Sequence, residues 1–166
     1  MACLLTKGRG VDCKSSIGGI KRVFFMDFNK AFYGKLDFNG TDTEQIDALD
    51  SATTQTYTIY EYDLRQQLSS MTTAINSSPE NGTTFFTTTI SITLQKLTTQ
   101  DNKELKLLAY ARPIMFVLDD NDNCFAVGFE NGCDITTGSL ATGTAKGDMS
   151  GYTLEFTATS RTMPFF

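Results

Sequence analysis

Residues 83–97, Thr-Thr-Phe-Phe-Thr-Thr-Thr-Ile-Ser-Ile-Thr-Leu-Gln-Lys-Leu, constrain the fold more than any other part of the chain. The even positions Phe86, Ile90, Ile92 and Leu94 are apolar, and the odd positions Thr87, Thr89, Ser91, Thr93 and Gln95 are polar. Alternation with a period of two is the signature of a strand with one face against a core and the other toward water. β-Branched residues dominate the stretch, and they suit a pleated surface better than a helix. Strands in compact domains run about 5–6 residues. At roughly 3.3 Å per residue this one would span on the order of 45 Å. Such a strand either leaves its own domain or serves the wall of something larger. The alternative is a bulge that divides it between two sheets.

At 166 residues the chain is one domain, or a domain with arms, and is long enough to bury a core. Hydrophobic residues make up 40%, which argues against disorder. No apolar run approaches the roughly 20 residues of a transmembrane helix. Residues 1–10 lack the apolar core of a signal peptide, so synthesis and folding in a reducing cytoplasm are expected. Cys3, Cys13, Cys124 and Cys133 contain no Cys-x-x-Cys pair, and histidine is absent, so no zinc site is expected. Cys124 and Cys133 are placed to face each other across a hairpin, but the expected compartment argues against a disulfide. Lack of histidine also removes the commonest general base and the Ser–His and Cys–His nucleophile pairs. The net charge of −5 lacks the excess of Lys and Arg that grips phosphates.

Residues 1–19, punctuated by Gly8, Gly10, Gly18 and Gly19, read as an N-terminal arm, and residues 20–166 as a single domain. Residues 20–28 read as a strand with Ile20, Phe24, Met26 and Phe28 on one face and Val23 and Phe25 on the other. A strand apolar on both faces is central or is covered by a partner. Residues 30–38 suggest a short strand, and Asn39-Gly40 a turn. Residues 42–50 fit one or two helical turns, with Asp42 as N-cap and Gln45 three residues on, or a polar loop. Residues 56–62 read as a strand. In 64–76, Leu64, Leu68, Met71 and Ile75 fit a helical period, whereas the Ser-Ser-Met-Thr-Thr run favours the strand that we expect. The turn 77–82 then makes a tall hairpin with the long strand. Asp101 and Glu104 have capping-box spacing, Leu105, Leu108 and Ala109 form an apolar stripe, and Pro113 ends the helix. Strands follow at 114–118, 124–129 and 133–140. A loose stretch, 138–147, leads to a last strand with Tyr152, Leu154, Phe156 and Ala158 on one face. The sum is a mainly β fold: an antiparallel β-sandwich or barrel of about eight strands, with one flanking α-helix and a long central hairpin.

Few constellations suggest chemistry. Asp119, Asn121, Asn123 and Glu130 fall at positions 1, 3, 5 and 12 of a calcium loop. However, Cys124 stands where glycine makes the sharp turn and the flanks read as strands, so a hairpin turn is expected. The tripeptides at Asn39, Asn76 and Asn81 match the glycosylation acceptor and read as turns in a chain without a secretory signal. Gly8-Arg9-Gly10 and residues 138–147 lack the elements of a phosphate loop, and Lys21-Arg22 reads as a solvated dipeptide. Asp27, Asp37, Glu61 and Asp63 sit on or near strands, with no spacing that singles out an acid/base pair. The expectation is no enzyme, no catalytic residue, no cofactor and no metal.

Residues 101–166 run helix, buried strand, Asp/Asn turn, strand ending in Gly, Asn-Gly turn, strand, then Gly147-Asp148-Met149-Ser150-Gly151-Tyr152 entering an amphipathic strand. This order, with the arm carrying Leu4-Leu5-Thr6-Lys7-Gly8-Arg9-Gly10, resembles tail tube and related ring-forming virion proteins of tailed bacteriophages. The resemblance implies a structural subunit, assembled in the host bacterial cytoplasm into a ring, usually a hexamer, and stacked into a tube in the virion. Its partners would be itself, other virion proteins and passing DNA that it does not bind tightly, with no membrane. The alternatives are a capsid decoration, head-tail connector or fibre-associated β-sandwich protein. A carbohydrate-binding sandwich would want exposed Trp, and the chain has none.

Overall fold

A computed structural model describes residues 8–10, 13–29, 36–38, 46–49 and 57–165. The elements in chain order are β1 (Ile20–Met26), β2 (Leu36–Phe38), β3 (Ile46–Leu49), β4 (Ile59–Asp63), β5 (Ser70–Ser78), β6 (Thr83–Gln95), α1 (Thr99–Tyr110), β7 (Ile114–Asp119), β8 (Cys124–Val127), β9 (Asp134–Ala141) and β10 (Gly151–Ser160). Two antiparallel four-stranded sheets, β4-β1-β7-β8 and β5-β6-β10-β9, face each other, and β2 pairs with β3. This is the expected sandwich and not a closed barrel.

The core forms where alternating apolar side chains of both sheets meet. Val23, Phe25, Met115, Val117 and Val127 come from the first sheet, and Ile90, Ile92, Leu154 and Phe156 from the second. Phe25 packs edge-on to Tyr62 at 5.0 Å and tilted against Phe156 at 5.4 Å, arrangements that suit the ring quadrupoles. Helix α1 closes one open side of the sandwich, with Leu105 in the same core and Leu108 packed against it. Thr98, and not Asp101, is its N-cap: the Thr98 hydroxyl accepts from the Asp101 N–H at 3.1 Å. A threonine hydroxyl satisfies one of the orphan amide donors of the first turn, so the helix begins earlier than the Asp101–Glu104 spacing suggests. Ala109 of the expected stripe is exposed.

The long strand is present as 13 residues, Thr83–Gln95. Its even face points inward, with Ile90 at 0% and Ile92 at 1% exposure. Thr88 lies on that same face. It is buried, and its hydroxyl lies 3.0 Å from the hydroxyl of Thr73 on the neighbouring strand. Pairing of β6 with β5 and with β10 shows no register shift, so no bulge divides it. The strand ends at Gln95 and not Leu97, because Lys96 adopts φ 72 and its N–H bonds the Ser150 carbonyl.

Several expectations are corrected. A register shift between Ile20 and Arg22 turns Ile20 to the side of Val23 and Phe25, away from Met26. The apolar second face of β1 needs no partner molecule, since this chain covers it. Met26, Ile114, Ala126, Phe129 and Phe165 are buried together, with Phe28, Ile46, Tyr57 and Phe116 packed around them. Ile46–Leu49 is extended and pairs with Leu36–Phe38, which overturns helical turns there; Asp42, Gln45 and Asp50 lie outside the described residues. In 64–76 the strand reading holds from Ser70, and the helical period fails: Leu64 packs on the core directly after β4, where its N–H bonds the Lys21 carbonyl, while Leu68 is 40% exposed. The strand expected at 124–129 stops at Val127, and Phe129 is buried from a turn.

Candidate functional site

The surface that stands out is the outer face of the second sheet. Alternation places Ser70, Thr72, Ala74 and Asn76 of β5 beside Ser91, Thr89, Thr87 and Phe85 of β6. On the other side of β6, Thr93, Ser91, Thr89 and Thr87 meet Thr153, Glu155, Thr157 and Thr159 of β10. Asn76 Nδ2 donates to the Thr87 hydroxyl at 3.1 Å, and the hydroxyls of Thr136 and Thr157 are 3.3 Å apart. The four strands carry no Lys or Arg, and their charges are Asp134 and Glu155 alone. The result is a carpet of neutral hydroxyls on a weakly acidic background.

Both edges of this sheet, β5 and β9, have no strand partner among the described residues. Natural sheets guard such edges with Lys, Pro or a covering segment. Neither strand contains Lys, Arg or Pro. The first sheet is treated differently. The edge of β8 is closed by the C-terminal segment, where the Ala126 N–H donates to the Phe165 carbonyl at 2.9 Å. Nothing in the alternation pattern signals that closure or the burial of Phe165. The hairpin also outruns its sheet: β10 reaches only to Phe86, so Thr83 to Phe85 pair with β5 alone. Ile75 and Phe85 near its tip are 63% and 43% exposed.

The candidate calcium loop is a hairpin turn between β7 and β8. Burial pulls the Asp119 carboxyl upward, but hydrogen bonds from Asn123 and Asn121 outweigh it and hold the pKa below the usual value. Oδ1 accepts the N–H groups of Asn121 and Asn123 at 2.9 and 2.7 Å, and Oδ2 accepts both side-chain amides. These donors occupy the oxygens that a cation would need. Glu130 accepts from the Arg161 N–H, and no group of three or more metal-ligating side chains occurs among the described residues. The turn instead holds the N-terminal segment. Ile17 N–H donates to Asn121 Oδ1 at 2.9 Å, Asn121 Nδ2 donates to the Ile17 carbonyl at 2.7 Å, and Asp120 N–H donates to Gly19. Residues 17–19, placed in the arm by sequence, are thus tied to the body. Because the folded-state pKa of Asp119 is lowered, its contribution is present above the unfolded-state pKa and lost as pH falls through the lowered value. Protection of the Asn121, Asn123 and Ile17 amides, taken relative to their intrinsic exchange rates at each pH, is therefore expected to fall only in acid below the ordinary Asp range. Loss of that protection already near neutral pH would contradict this account of the turn.

Other residues singled out by sequence scatter. Cys13 and Cys124 are exposed thiols, while Cys133 is buried, its pKa pushed up to about 12 by burial and the neighbouring Asp134 charge. Cys3 and Asn39 lie outside the described residues. Asn76 sits within β5 and not in a turn. Lys21 pairs with Asp122 at 2.8 Å, and Arg22 with Glu61 and Asp63 at 3.0 Å each. Asp37 lies in β2. Asp27, Glu61 and Asp63 come together with Asp101 and Glu104 along one groove, a grouping that no sequence spacing announces.

A scan of protein-family models, a search of curated proteins and a search of solved structures each returned no match.

Proposed function

We propose that this chain is a structural virion protein, a tail tube subunit of a tailed bacteriophage. Copies join through the open β5 and β9 edges into a ring, six in number by the resemblance. Rings stack into a tube whose bore is lined by the outer face of the second sheet. One observation carries the reading: a hydroxyl-covered sheet face without Lys or Arg lies between two edges that have no strand partner among the described residues. Pairing β9 of one copy with β5 of the next removes both edges at once, as closure does in any barrel. The resulting wall suits a duplex that must slide. Neutral hydroxyls offer phosphates no ion pair, and the acidic background repels them. The described cations lie outside the four strands of this sheet: Arg9 and Lys14 on the N-terminal arm, Lys21 and Arg22 on the first sheet, Lys103 and Lys106 on the helix, and the others, such as Arg112, on connecting segments.

Sedimentation across a concentration series is expected to show species well above 18.3 kDa. A monomer at every concentration would contradict assembly. In a gel-shift titration with duplex DNA at low salt, where phosphate binding is strongest, no complex is expected. A salt-sensitive complex would place clustered cations on an accessible face and favour a DNA-contacting head component.

A further inference from the structure

We propose that residues 7–14 of one copy dock as an added strand in the groove between β4 and α1 of a second copy, which deepens the self-assembly reading and rests on it. Strand β4 is hydrogen-bonded to β1 on one side, and its other edge meets no strand among the described residues. All five of its residues line a groove of about 830 Å³ whose opposite wall is one face of α1. An edge strand facing a helix across a groove is the geometry that captures extended peptides: main-chain bonds supply affinity and side-chain pockets supply selectivity.

The chemistry of the groove selects the occupant. Its apolar surface includes Tyr60 and Leu107, both more than half exposed. Among the described residues its charged liners are Asp27, Glu61, Asp63, Asp101 and Glu104, with no cation. Arg22 binds Glu61 and Asp63, which leaves a net negative groove. Tyr62 senses that field: burial raises its pKa, and the charges of Glu104 and Asp101 raise it further. An extended cationic segment fits, whereas the hairpin tip of a neighbour would bring Glu80.

Residues 7–14 supply Lys7, Arg9 and Lys14 against Asp12, three positive charges against one negative. Arg9 and Lys14 are exposed. Eight extended residues reach roughly 26 Å, enough to run past a five-residue edge of about 17 Å. The described anchor of the arm lies across β1 from the groove of its own chain. Ile17 is fastened to Asn121 in the turn between β7 and β8, and β7 lies on the opposite side of β1 from β4. The occupant is therefore assigned to a second copy.

The test uses the full chain with its own arm disabled by K7E/R9E/K14E. A fluorescein-labelled peptide of residues 1–16 is titrated into it and followed by anisotropy. Saturable binding is expected, with slowed amide exchange along β4, and an affinity at least tenfold weaker when the host also carries Asp27→Asn and Glu104→Gln. These two side chains are exposed and outside the core, and circular dichroism checks that the variant is folded. Absence of saturable binding, indifference to the groove substitutions, or equally tight binding of a peptide with the same residues in scrambled order overturns the proposal. A wild-type chain that forms rings while the peptide does not bind overturns the arm exchange and leaves the tube reading standing. A wild-type chain that stays monomeric while the peptide binds overturns exchange between copies and places the arm in its own groove.

Discussion

Ile90→Asp is expected to abolish cooperative folding or to destabilise the domain by on the order of 5 kcal/mol. Ile90 is fully buried, cross-strand from Met71 on one side and Phe156 on the other. The substitution removes apolar contacts at the centre of both sheets and places a carboxyl where no water reaches. The group must then stay ionised at large cost or take up a proton, and its pKa is driven upward in the second case. Small domains have stabilities of only about 5–15 kcal/mol, so a loss of this size consumes most of the margin. Thr89→Asp, one residue away on the outer face, is expected to shift monomer stability by less than about 1 kcal/mol. Urea denaturation of the two variants checks the face assignment directly. Equal losses would contradict it.

Gly151→Val is the second large effect. Gly151 opens β10, is buried, and pairs with Gln95 and Ala141. A β-carbon there would overlap the Leu94 carbonyl oxygen and approach the Gln95 Cα to 3.1 Å. The obstacle is backbone, so no rotamer change relieves it, and the start of β10 must part from β6. A loss of about 3 kcal/mol is expected, in the upper range for overpacking. The same separation would break the bond from Lys96 N–H to the Ser150 carbonyl, which fixes the end of the long strand. Amides near Lys96 should therefore exchange faster in the variant, while those around the turn at Asn121 keep their rates. An unchanged denaturation midpoint would show that the ladder absorbs the β-carbon by a local shift.

Those two sites also mark how much was legible in the sequence. The period-two pattern of residues 83–95 identified the strand, its inward face and its hairpin partner, because alternation is a direct imprint of a two-sided sheet. The last strand was legible for the same reason, and the helix from the spacing of Leu105 and Leu108, which the core takes up. Thr88 was not, since a hydroxyl on an apolar face looks like noise until Thr73 is seen opposite it. The cap was misplaced because Thr98 and Asp101 both carry capping chemistry, and only the backbone decides between them. The second core around Met26 and Phe165 assembles residues far apart in sequence, which no local pattern reports. The outer face of the second sheet was half legible. Its Thr and Ser content was plain along one strand, but the absence of cations across four strands follows from the strand order. The acidic groove beside α1 was invisible for that reason too: its carboxylates come from the residue after β1, from β4 and from the helix, and pairing brings them together.

Electron cryomicroscopy of the concentrated wild-type protein tests the central claim most directly. Rings or tubes of constant bore are expected, with β5 and β9 of adjacent copies paired and Thr87, Thr89 and Thr157 facing the lumen. Dispersed monomers, or an assembly with that hydroxyl face turned outward to solvent, would contradict it.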